Sequence, residues 1–152
     1  MKRLLLLVGL SALALLTACG ISLNKGDLEL TPYEVADFGG EVLMTVSEAA
    51  VTPKTSSMTL NIVNAADMDC TFGMEYALEV YLDDAWYKVP PKEEMFFIMI
   101  AQILEPGGMA QLEASLADAY GVLPEGQYRY VKSFSFEGGG TSAAAEFKIV
   151  KE

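Results

Sequence analysis

The sequence predicts an all-β fold, an antiparallel β-sandwich of about seven to eight strands, and three observations lead there. Apolar and polar residues alternate with period two in short runs, clusters of Gly, Pro and Asp punctuate those runs at short intervals, and helical periodicity is nearly absent. Half-buried strands produce that alternation because successive side chains point to opposite faces of a sheet. A chain of many short strands with few helical stretches buries its apolar faces by packing sheet on sheet.

In chain order, Val42, Met44 and Val46 alternate with Leu43, Thr45 and Ser47, a first strand that ends before Thr52-Pro53-Lys54. Met58, Leu60 and Ile62 alternate with Thr59, Asn61 and Val63 for a second, and Asn64 to Asp69 reads as a loop. Tyr76, Leu78, Val80 and Leu82 give a third strand, closed by Asp83-Asp84, with Trp86 to Val89 as its hairpin return before Pro90 and Pro91. Phe96 to Leu104 is almost continuously apolar and predicts a buried strand, stopped by Glu105-Pro106-Gly107-Gly108. Met109 to Leu116 predicts another. Gln127 to Phe136 and Ala143 to Val150 form the last pair, joined through Gly138-Gly139-Gly140.

Two details narrow the sandwich to an immunoglobulin-like one. Leu123-Pro124-Glu125-Gly126-Gln127-Tyr128 has the form of a tyrosine corner, whose Tyr turns its hydroxyl back onto upstream backbone, here expected near Tyr120 to Leu123. Tyr130 stands two residues on, where an antibody domain carries its second Cys. Alternation within the third strand puts Glu79 on its outward face, and the strand holding Arg129 is its expected neighbour. Glu79 and Arg129 should therefore be an exposed cross-strand pair. Trp86 is expected at the edge of the core, with Tyr87 outside.

The 152 residues include 21 acidic and 10 basic side chains and no histidine. Phosphate backbones are bound by clustered Lys and Arg, and none are clustered here beyond the first three residues, so nucleic-acid binding is excluded. Chemistry that needs an imidazole is excluded as well. No cofactor is expected. Asp83-Asp84 and Glu93-Glu94 could offer oxygen ligands to calcium, but they lack the spacing of a calcium loop and read as solvated turns. Nothing singles out a catalytic pair among the carboxylates, and the expectation is of a protein that is not an enzyme.

The N-terminus carries an export signal. Lys2 and Arg3 precede an apolar run from Leu4 to Leu16, too short to span a bilayer comfortably, followed by small residues. Leu16-Thr17-Ala18-Cys19 resembles the lipobox of bacterial lipoproteins, which implies cleavage before Cys19 and a thioether-linked lipid on its sulfur. The expected organisation is a signal peptide over 1–18, a lipidated N-terminus and tether over 19–40, and the sandwich over 41–152. The mature chain would keep eight basic side chains against 21 acidic ones, a charge of −13. So acidic a body would not adhere to an anionic membrane unaided, which leaves the lipid on Cys19 as the attachment. The implied location is the extracytoplasmic face of a bacterial cell membrane or outer membrane. With Cys19 lipidated, Cys70 has no disulfide partner, and its phase with Met68 and Phe72 predicts a buried thiol.

A set of short motifs carries a further resemblance. Asn64 with Gly73, Tyr76-Ala77-Leu78-Glu79, Trp86-Tyr87-Lys88-Val89-Pro90, Leu104-Glu105-Pro106-Gly107 and Gly126-Gln127-Tyr128-Arg129-Tyr130-Val131-Lys132 resemble a bacterial immunoglobulin-like domain found in small lipoproteins, over about residues 41 to 150. The resemblance implies fold and location and brings no catalytic residues. Its Gly126, Pro106 and Gly107, like Tyr128, Trp86, Glu79 and Arg129, are structural positions. The expected role is a lipid-anchored binding or structural-interaction module with a protein or envelope partner. The alternative is protease inhibition through an exposed loop at Pro90 to Phe97, since a family of bacterial proteinase inhibitors is similar in strand pattern and in its Leu-x-Pro-Gly turn.

Overall fold

The computed structural model describes residues 23–33, 39–48 and 50–151; the signal peptide expected over 1–18 and the expected lipid site Cys19 lie outside the described residues. Among the described residues nine strands form in the order β1 (Val42–Val46), β2 (Ser57–Asn64), β3 (Cys70–Phe72), β4 (Ala77–Leu82), β5 (Ala85–Lys88), β6 (Gln102–Leu104), β7 (Met109–Ser115), β8 (Gly126–Phe136) and β9 (Gly139–Ile149), with a 3-10 turn at Lys25–Asp27 and a short helix, α1 (Ala117–Tyr120), before β8. They make two antiparallel sheets. One has the order β1-β2-β7; in the other, β8 carries β9 along one edge and β4 and β3 along its opposite edge, with β5 beyond β4 and β6 beyond β3. This is the sandwich the alternation predicts. β2 shows why: Met58, Leu60, Ile62 and Asn64 are buried while Ser57, Thr59, Asn61 and Val63 are partly exposed.

The core lies between the sheets, where Met58, Leu60 and Ile62 join Leu78, Val80, Tyr128 and Tyr130. Tyr130 fills the place of the missing disulfide, stacked on Phe147 at 5.5 Å between ring centroids. Its hydroxyl donates to the Ser115 carbonyl at 2.6 Å, and the Ser115 amide donates to the Tyr76 hydroxyl at 2.8 Å. Two tyrosines of one sheet therefore grip the last residue of β7 in the other. Cys70 is fully buried on β3, and burial pushes its thiol up from the ordinary value. Met68, its expected companion, is exposed because it precedes the strand.

Asp83 and Asp84 form the two-residue turn of the β4–β5 hairpin, with φ of 46° and 63°. Aspartate tolerates the left-handed region that such turns require. This is a backbone role for acids weighed above as calcium ligands. The turn also fixes parity: Tyr87 stands opposite Val80 and is buried, whereas Trp86 stands opposite Tyr81 on the outer face. The expectation for Trp86 and Tyr87 is thus reversed.

The predicted strand over Phe96 to Leu104 also needs correction. Only Gln102–Leu104 joins a ladder, as the edge strand β6, and Phe96, Ile98, Met99, Ile100 and Ile103 are exposed. β3, its sole neighbour, is three residues long, so there is no strand for the rest of the run to pair with.

β3 and β4 are two pieces of one line along β8, broken between Gly73 and Tyr76. Thr71 faces Ser135 and Ala77 faces Val131, so the β3–β4 line carries two residues more than β8 over that interval. Such an excess leaves carbonyls without ladder partners. Lys132, directly across the break and buried, supplies the donors: its ammonium bonds the Gly73 and Glu75 carbonyls at 2.5 and 2.6 Å and lies 5.2 Å from the Phe72 ring centroid. Burial lowers Lys132 from its ordinary 10.5 to about 8. Between those values the unfolded chain binds a proton that the native chain has released, so stability rises with pH. Lys132 by itself should contribute a rise of about 2 kcal/mol from pH 8 to pH 10, taking 1.36 kcal/mol per pKa unit. The Cys70 thiol and the phenols of Tyr120, Tyr128 and Tyr130 act with the opposite sign, because burial pushes them upward and the unfolded chain loses those protons first. Urea unfolding of the wild type and of Lys132→Met isolates the lysine: from pH 8 to pH 10 the stability difference between them should move by about 2 kcal/mol in favour of the wild type, and a difference independent of pH would refute this assignment.

Candidate functional site

The tyrosine corner is present. Tyr128 is fully buried and its hydroxyl donates to the Pro124 carbonyl at 2.8 Å, one residue past the span expected from the sequence. Gly126 lies beside the corner, where a Cβ would stand 3.4 Å from the Tyr128 ring, an ordinary contact, so the corner does not itself demand glycine there. Pro106 and Gly107 occupy the middle of a turn closed by the Gly108 amide and the Glu105 carbonyl at 2.8 Å, with Gly107 at φ 73°. Pro before a positive-φ Gly is the type II pattern. Asn64, at the end of β2, ties this turn down. Its amide nitrogen donates to the carbonyls of Met68, Leu104 and Glu105, its side-chain oxygen accepts from the Ala66 amide, and its backbone bonds Gly107 and Gly108.

Glu79 and Arg129 are cross-strand neighbours, as the sequence predicts, but they are not exposed. Arg129 is 1% and Glu79 0% accessible, and the Arg129 Nε donates to Glu79 Oε2 at 2.6 Å. The cover is the N-terminal segment that the sequence assigns to a tether. Residues 29–31 run antiparallel to the outer edge of β5: the Lys88 amide donates to the Glu29 carbonyl, the Thr31 amide to the Trp86 carbonyl, and Leu30 bridges Tyr87. The Thr31 hydroxyl donates to Glu79 Oε1, Arg129 also reaches the Tyr33 carbonyl at 3.4 Å, and its guanidinium lies 4.3 Å from the Trp86 ring centroid. Leu23 and Leu28 pack against the core. Over 23–33 the chain is thus a strap on the sandwich rather than a tether free of it.

The second feature is the loop between β5 and β6. It is fixed by a bond from the Lys92 amide to the Ala119 carbonyl at 2.9 Å, by Met95 packed against the core, and by Phe97 set edge-on to Tyr76 at 5.0 Å. Beyond these contacts it projects. Phe96 is 86% and Met99 102% accessible, with Ile98 and Ile100 also exposed, and the Ile100 amide bonds the Ile98 carbonyl so that the chain turns tightly at Met99. This apolar ridge is the feature that sequence reasoning missed. Its root shares a groove with the strap: Pro90, Pro91 and Met95 line it together with Asp27, Leu28 and Glu29. In the span proposed as an inhibitory loop, Pro90 to Phe97, Met95 and Phe97 are held against the body while Pro90, Lys92, Glu93, Glu94 and Phe96 are exposed, and the apolar projection begins at Phe96.

Among the described residues no group of three or more His, Cys, Asp or Glu side chains could hold a metal ion, and no helix is long and apolar enough to cross a membrane. Asp83 instead pairs with Lys25 at 3.2 Å. The family model of the bacterial Ig-like domain matches residues 40–148. The chain belongs to that family. For this bacterial Ig-like domain no curated protein gives a match in sequence. Among solved structures it is similar to the ASH / PapD-like domain of human CEP192 (PapD-like domain 7), at 11% identity, covering 87% of this chain and 98% of that one, with a TM-score of 0.30. The matched region begins after the strap.

Proposed function

We propose that this bacterial Ig-like domain is a lipid-anchored, extracytoplasmic interaction module without enzymatic activity, attached to a bacterial cell membrane or outer membrane through Cys19. The observation that carries the reading is a family sandwich over residues 40–148 set behind a lipobox pattern at Leu16 to Cys19, with the strap beginning four residues later. Two or more acyl chains on one cysteine hold far more firmly than a single chain, and a body of charge −13 adds no attraction to anionic lipid. The partner on this reading is a protein or another envelope component met at the membrane face. Fractionation of Cys19→Ala tests the anchor. The variant should leave the membrane fraction or remain as unprocessed precursor, and mass spectrometry of the wild type should find the Cys19 peptide carrying lipid. Unchanged fractionation with an unmodified Cys19 peptide would refute the reading.

A further inference from the structure

We infer that the ridge Phe96 to Ile100 is a membrane-docking element, seated in the interfacial zone of the bilayer that holds Cys19. The inference rests on the lipid-anchored reading and adds an orientation to it. From Met95 through Ala101 the chain carries no charge, and four of its large apolar side chains stand in water at 53% to 102% accessibility. An exposed apolar cluster of this kind marks an interaction surface. The ridge is held as a firm projection by Lys92, Met95 and Phe97 rather than collapsed onto the sandwich.

The occupant follows from where the anchor enters. Asp27 to Glu29 share the groove of Met95, the residue immediately before the ridge, and Asp27 is only the eighth residue after Cys19. Fully extended, eight residues reach at most about 29 Å. The bilayer surface is therefore always within a short distance of the ridge, whereas a protein partner would have to arrive by diffusion. Attraction to lipid here is apolar, since the body is acidic and Glu93 and Glu94 sit exposed beside the ridge. Docking should accordingly be as strong on zwitterionic as on anionic lipid.

The test uses the full-length lipidated protein in phosphatidylcholine vesicles. With Cys19 capped by lipid and Cys70 buried, Met99→Cys supplies one accessible thiol for an environment-sensitive NBD label, and Glu137→Cys supplies a remote control. Flotation reports the anchor, and quenching by spin-labelled lipid reports the ridge. The label at position 99 should lose about half or more of its emission to the quencher while the label at 137 keeps its own. Adding Ile98→Asp and Ile100→Asp should abolish that quenching without changing flotation. A floating protein whose position 99 stays in water overturns the inference and leaves the anchor intact. A label shielded only as protein density rises, with no lipid quenching, assigns the ridge to a second copy of the chain and also overturns it. Protein that fails to float removes the anchor, and this inference with it.

Discussion

Arg129→Ala should destabilise the protein by about 3 to 5 kcal/mol, because it strands a carboxylate that water cannot reach. Glu79 is fully buried, with Arg129 on one carboxylate oxygen and the Thr31 hydroxyl on the other. Removing the arginine also takes away the guanidinium face from Trp86 and a bond to the Tyr33 carbonyl. Tyr128→Phe, by contrast, leaves one backbone carbonyl without its donor and should cost about 1 to 3 kcal/mol. The order is opposite to what an exposed pair would give. Replacing both members, Glu79→Leu with Arg129→Met, should restore much of the loss, since a buried ion pair is often no more stabilising than an apolar pair of similar size. Chemical denaturation of the three variants decides the matter. An Arg129→Ala loss equal to or below that of Tyr128→Phe would mean that the strap does not seal the pair from solvent.

Asn64→Ala should cost about 3 kcal/mol or more, since each buried group left without a partner is worth roughly 1 to 3 kcal/mol. The Asn64 side chain satisfies the carbonyls of Met68 and Leu104 and the Ala66 amide from a position with no solvent access, while the Glu105 carbonyl it also reaches keeps the Gly108 amide. Asn64→Asp is the sharper variant. It keeps the shape and the acceptor but turns a negative oxygen toward three carbonyls, so it should be at least as damaging as alanine near neutral pH. Thermal unfolding of the two proteins would show it; an Asn64→Asp variant close to wild type would contradict the hub.

Much of the sandwich was legible because strand alternation directly records which face a sheet buries. β2 and β4 were readable for that reason, and the tyrosine corner fixed the register that sets Arg129 opposite Glu79. Alternation sorts inside from outside, yet it does not say whether the outside is covered. The cover on Glu79 comes from Thr31 and Tyr33, nearly fifty residues earlier, in a stretch whose scattered Leu23 and Leu28 show no periodicity. The Phe96 to Ile100 ridge was misread for a related reason. An apolar run implies burial only where a neighbouring strand exists to receive it, and β3 ends after three residues. Tyr87 was recoverable: a two-residue turn at Asp83-Asp84 puts Ala85 opposite Leu82, and counting on from there places Tyr87 beside Val80, inside. Lys132 gave a fainter signal, a lysine within an apolar strand whose purpose becomes visible only with the break opposite it.

The strap has a consequence for how the protein tolerates crowding. β5 would otherwise end its sheet with unpaired amides and carbonyls, an edge onto which a neighbouring copy could add its own strand. The Lys88 amide and the Trp86 carbonyl, which face outward from that edge, are already taken by Glu29 and Thr31 of the same chain. β6, the other outer strand on that side of β8, offers only three residues, too few for a stable intermolecular ladder. The molecule thus serves as its own neighbouring strand, and copies packed densely side by side would find little backbone left to join by sheet extension there.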